Sequence, residues 1–105
     1  MSDAKEILYK CGLPEDRIEE VYDTLLKASK LLIVSVDQLT YLYGTMFITG
    51  RVDKMDLMQL SNVGIPIFYE LKEIWQIPKG GHLVGNSIKI SDVDASLKNF
   101  VKRYS

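Results

Sequence analysis

Residues 46–75, MFITGRVDKMDLMQLSNVGIPIFYELKEIW, hold three helix boundaries and two short apolar helices within about thirty residues. Gly50 stands where a helix C′ residue must tolerate positive φ. Asp53 can accept hydrogen bonds from the free N–H groups that open the next helix. Gly64 ends that helix. Pro66 falls at the first position of a third, where its missing N–H breaks no bond and its fixed φ is already helical. A chain punctuated this densely folds into short helices joined by tight corners.

The flanking sequence extends the pattern. Residues 2–11 read as a short helix with Ser2 or Asp3 as cap and Ile7 and Leu8 on its apolar face, closed by Gly12. Pro14 opens a longer helix whose first turn carries Glu15 and Asp16, placed to suit the positive end of the helix dipole. Ile18, Val21, Tyr22, Leu25, Leu26, Ser29 and Leu32 follow at three- and four-residue steps, forming one stripe. Residues 31–36, LLIVSV, carry enough β-branched side chains for a buried strand. A helix end followed by a new start is the better reading, because Ser35 and Gln38 make a capping-box pattern and Val36, Leu39, Leu42, Tyr43, Met46 and Phe47 continue at helical spacing.

Beyond Pro66, an amphipathic helix points Ile67, Phe68, Leu71, Ile74 and Trp75 inward and Glu70, Lys72 and Glu73 outward, and Ile77 and Pro78 end it. Residues 78–90 fit a short helix or a loop. Ser91 with Asp94 resembles a capping box, and Val93, Leu97, Phe100, Val101 and Tyr104 mark a last helix with Lys102 and Arg103 at its C-terminal end. The expected fold is therefore all-α, a compact bundle of five to six short helices in one domain over residues 1–105, with negligible strand.

Thirteen Lys and Arg against fourteen Asp and Glu leave a net charge of −1, so neither a nucleic acid nor an anionic membrane is the expected main partner. No apolar run approaches the roughly 20 residues that span a bilayer, and the acidic start lacks the layout of a signal peptide, so a soluble protein is expected. A single cysteine, Cys11, excludes an internal disulfide and fits an intracellular origin.

Candidate chemistry is sparse. Cys11 and His82 are the only thiol and the only imidazole, in different parts of the chain, and a packed cysteine with a surface histidine is the preferred reading over a catalytic pair. Asp53 with Asp56, and Asp92 with Asp94, lie at helix starts where carboxylates serve as caps. Lys79, Gly80 and Gly81 lack the spacing and the Ser or Thr of a phosphate loop. No catalytic residue, metal ligand, cofactor or small-molecule substrate is expected. The aromatic residues offer more: Tyr41 and Tyr69 fall off the apolar stripes, and with Met55 and Met58 they form a candidate exposed patch for subunit contacts.

The punctuated stretch resembles the signature of the tape measure domain of tailed-phage tail proteins, in which a small-residue helix end, a Leu- or Glu-rich turn, Gln-Leu and Gly-Ile-Pro recur in that order. The matching residues are Gly50, Leu57, Gln59, Leu60, Gly64, Ile65 and Pro66. Residues 13–29 are similar to the family's acidic segment followed by Leu-Leu-x-Ala, here Leu25, Leu26 and Ala28. Ser35, Val36, Leu39 and Tyr43 look like its next helix start. Ile88, Lys89, Ile90, Ser91, Asp92, Val93 and Leu97 resemble its closing elements, so roughly four-fifths of the chain is covered in order. The chain departs from the family at Gly80, Gly81, His82, Leu83, Val84, Gly85 and Asn86, where a helix of the kind Glu-Leu-x-x-Met is usual.

The resemblance implies a structural role. A tape measure protein occupies the lumen of the tail tube after synthesis in the bacterial cytoplasm, sets the tube's length during assembly and leaves ahead of the DNA. Its partners would be other tail proteins and other copies of itself. Fully helical, 105 residues would extend only about 160 Å, so the length-setting region would belong to a longer chain of which this is one domain. The alternative expectation is a free-standing small helical binding or regulatory protein of phage origin that reuses the domain. An enzyme of another type ranks third.

Overall fold

In the computed structural model, residues 3–78 and 88–104 are described. They form six helices: α1 (Asp3–Lys10), α2 (Glu15–Leu32), α3 (Val36–Thr49), α4 (Lys54–Asn62), α5 (Ile67–Ile74) and α6 (Ile90–Tyr104). Among the described residues the only extended pairing is one isolated antiparallel bridge, Val52 with Ile88, which ties the α3–α4 connection to the approach to α6. The all-α expectation holds.

Local chemistry sets most of the boundaries. Ser35 Oγ accepts from the N–H groups of Asp37 and Gln38 and starts α3, so residues 31–36 divide into a helix end and a new start. Asp53 and Asp56 form a reciprocal capping box at the head of α4, each carboxylate accepting from the other's backbone N–H at 3.0–3.1 Å. At the other end of α4, Gly64 adopts φ +108°. There its N–H reaches the Ser61 carbonyl and the next N–H, of Ile65, reaches that of Leu60, the paired bonds of a Schellman ending.

Two expectations shift by a residue or more. Pro66 is not the first helical residue but precedes it, at φ −76° and ψ 61°, with Ile67 N–H donating to Ile65 O at 2.7 Å. Those angles are an inverse γ-turn, which bends the chain more sharply than a helical first turn. The last helix begins at Ile90, and Asp92 rather than Asp94 makes the cap by accepting from Lys89 N–H at 3.0 Å. Asp94 is spent elsewhere.

Helix packing closes into a ring. α2 meets α3, α3 meets α4, α4 meets α5, α5 meets α6, and α6 returns against α2, while α1 lies over the α2–α3 edge. Inside the ring Leu25, Leu39, Tyr43, Leu60, Ile67, Leu71, Val93 and Leu97 are almost wholly removed from solvent. Burying each large aliphatic side chain stabilises the fold by about 1.5–3 kcal/mol. α1 approaches α3 closely because residue 44 has no side chain: a Cβ there would lie 2.7 Å from Cys11 Sγ. The resulting body measures 44 × 29 × 23 Å.

Candidate interaction surface

The four residues expected on an exposed patch are all exposed. Tyr41 on α3 is 66% exposed, Met55 and Met58 on α4 are 67% and 46%, and Tyr69 on α5 is 48%. Met55 and Met58 share one face of α4 by their three-residue spacing. Ile48, 68% exposed, adds to Tyr41 on α3, since residues seven apart return to the same side of a helix. The sequence carried that signal, because the inward stripe of α3 runs through Leu39, Tyr43 and Met46 and leaves Tyr41 and Ile48 off it. Tyr69 is the member drawn away. Its hydroxyl accepts from Arg103 at 3.0 Å and the guanidinium lies 5.0 Å from its ring centroid, so α6 already uses this side chain.

The residues on which the resemblance rests divide by burial. Leu57, Leu60, Ile65 and Val93 are buried, Gln59 and Ser91 are exposed, and Pro66 and Ile90 are partly covered. Gly50 and Gly64 occupy positive φ at the two corners. Their arrangement is architectural: it fixes how α4 and α5 turn between α3 and α6.

Polar side chains assemble where no local pattern announced them. Asp94 accepts from Arg17 at 2.9 Å, joining α6 to α2, and Glu20 pairs with Lys98 along the same seam. Arg17 to Glu20 and Asp94 to Lys98 are each about one helical turn, so the two pairs lock the register of the helices. Tyr43 sits behind Asp94. Burial, reinforced by the carboxylate's negative charge, pushes its phenol well above the ordinary range, and the hydroxyl makes no hydrogen bond of good geometry. The bond to Asp94 in turn raises Arg17 and keeps it charged.

Glu70 corrects the amphipathic reading of α5. Expected outward, it is completely buried, with Oε1 accepting from Arg103 at 2.9 Å and Oε2 left without a partner. Burial raises its carboxyl, Arg103 opposes that shift, and Glu73 adds to it. A buried charge of this kind is tolerated because a guanidinium faces it.

The other candidate chemistry resolves into structure. Cys11 is half-buried against Gly44, and desolvation raises its thiol, the opposite of an activated nucleophile. His82, Lys79, Gly80 and Gly81 lie outside the described residues. Asp53 and Asp56 cap α4, and partial burial together with the Asp53 charge raises Asp56 against the pull of its backbone hydrogen bond. Among the described residues no group of three or more His, Cys, Asp or Glu side chains is placed to hold a metal ion, and no helix is long and apolar enough to cross a membrane.

The fold and surface thus define an all-α bundle with solvent-facing methionine and aromatic side chains. Compared with known proteins, the chain matches no family model, no curated protein and no solved structure.

Proposed function

We propose that the chain is a structural domain of a phage tail tape measure protein, acting in tail assembly and tube-length control through protein contacts rather than catalysis. The observation that carries this reading is the order of the signature residues, from Leu25–Ala28 through Gly50–Pro66 to Ile90–Val93, set beside the corners at which Gly50, Gly64 and Pro66 turn the chain. Tyr41, Ile48, Met55 and Met58 supply exposed apolar area suited to contact with tail proteins. Flexible methionine and amphipathic tyrosine are residue types that serve such contacts well. The long helical ruler would lie outside these 105 residues, because reach scales with residue number. Its place of action would be the tail-tube lumen.

The native reading frame and its neighbours test the proposal. A frame running on for several hundred residues of helical sequence beside tail genes is the expected result. A frame that stops at Ser105, away from any tail gene, would overturn it and favour a free-standing binding protein.

A further inference from the structure

The outward face of α3 carries no charge. Residues 38–50 contain no Asp, Glu, Lys or Arg, and the side chains that the helix turns to solvent are Gln38, Tyr41, Thr45, Ile48 and Thr49. The other long helices differ: α2 exposes Glu19, Glu20, Asp23, Lys27 and Lys30, and α6 exposes Lys98, Lys102 and Arg103. Loss of charge around an aromatic and an aliphatic side chain is the composition of an interface core.

The threonines on this face are already satisfied. Thr45 Oγ1 donates to Tyr41 O at 2.9 Å, and Thr49 Oγ1 lies 3.2 Å from Met46 O and 3.0 Å from Arg51 O. Both hydroxyl protons are spent on the chain's own carbonyls, so covering these residues leaves no hydroxyl donor unpaired.

Charge returns only at the two ends, with opposite sign. Asp37 stands in the first turn of α3, four residues before Tyr41 and so on the same side of the helix, and Arg51 follows the helix end in an exposed position. Neither makes an ion pair among the described residues. A second α3 laid antiparallel and centred between residues 44 and 45 sets Tyr41 of each copy on Ile48 of the other and brings Asp37 beside Arg51 at both ends. A parallel copy would set like charges together at each end. The face is therefore its own complement, in one direction only.

We propose that two copies of the protein pair through α3, antiparallel, about a two-fold axis level with Gly44 and Thr45. Every contact occurs twice, so the interface is isologous and closes at a dimer. A helix of 14 residues is about 21 Å long and covers less than the roughly 800 Å² per partner of a stable complex, so the dimer is weak and reversible. The inference rests on the assembly reading in taking the α3 face as a contact surface, and deepens it by naming a second copy as the partner. Its test uses the isolated chain, whereas the assembly reading is tested by the native reading frame, so either can fail alone.

Sedimentation of the 105-residue chain from about 10 µM to about 1 mM tests it. Wild-type protein is expected to be half dimeric at about 100 µM and to form nothing larger. Tyr41→Glu and Ile48→Lys, both at exposed positions, should each weaken the dimer about tenfold or more. Asp37→Arg, which opposes like charges at both ends, should weaken it about threefold or more, and Asp37→Arg/Arg51→Asp should restore it. Wild-type protein that stays monomeric throughout, or that grows beyond the dimer, overturns the proposal. So do Tyr41→Glu and Ile48→Lys proteins that dimerise as wild type does, or a double charge variant no tighter than Asp37→Arg alone. Circular dichroism checks that each variant is folded, and where a charge variant is not, Tyr41→Glu and Ile48→Lys decide.

Discussion

The corner over residues 50–66 and the seam between α2 and α6 are built from different physics. In the corner the hydrogen bonds that start and end the helices span a few residues, Asp53 with Asp56, Gly64 with Ser61, Ile65 with Leu60, and Ile67 with Ile65, while the Val52–Ile88 bridge reaches further. In the seam Arg17 meets Asp94 and Glu20 meets Lys98, pairs 77 and 78 positions apart. Local contacts set direction, and distant ones set register and close the ring. The corner therefore shapes the path of the chain, while the seam determines whether that path ends as one cooperative body.

The largest effect is expected from emptying the core beneath α6. Leu97 is 2% exposed on α6, and Leu97→Ala should destabilise the fold by about 2–5 kcal/mol, read as a lower denaturant midpoint with one cooperative transition. A transition that splits in two would show that the ring is not a cooperative unit. Next comes the corner. Gly64→Ala combines a residue at φ +108° with a Cβ 3.0 Å from Leu32 Cδ2, and should cost about 1–3 kcal/mol in the same unfolding experiment. Loss of the α4 cap by Asp53→Ala should cost about 1 kcal/mol, with amide exchange speeding first in the opening turn of α4. Ile33→Gly should act in the opposite direction, because glycine relieves the strain of a left-handed backbone at φ 57° while giving up little packing. A gain of up to about 1 kcal/mol in thermal stability is expected.

The smallest effect is the pH response of Glu70. Burial raises its carboxyl above 4.5, so the folded state holds that proton more tightly than the unfolded chain does. Its contribution is fully present at low pH and is lost as pH rises from the ordinary glutamate range through the raised folded value. Glu70→Gln should remove that component, and the difference between wild-type and variant stability should slope only in this window. No change in slope would mean that Arg103 neutralises the carboxylate completely.

The same division explains what was legible beforehand. Ser35, Asp53 and Gly64 revealed their roles because caps and left-handed endings are read from neighbours three or four residues away. Ser91 and Asp94 made a plausible cap by spacing alone, and were misread because Arg17, far away in sequence, claims the carboxylate. Glu70 was misplaced outward for the same reason, its partner Arg103 lying 33 positions on. Ile33 escaped notice because a β-branched residue ordinarily argues against the left-handed ending it adopts. The exposure of Tyr41 and Tyr69 was legible because both fall off an apolar stripe, as Ile48 does on α3. The contact of Tyr69 with Arg103, 34 positions on, left no such local sign.

A tail-assembly role for these corners and exposed apolar side chains is open to a direct genetic test. In-frame deletion of the codons for residues 1–105 from the genome that encodes them, followed by electron microscopy for phage tails, tests it most directly. Tails that fail to assemble or depart from their set length are the expected result. Infectious particles with tails of unchanged length would contradict it.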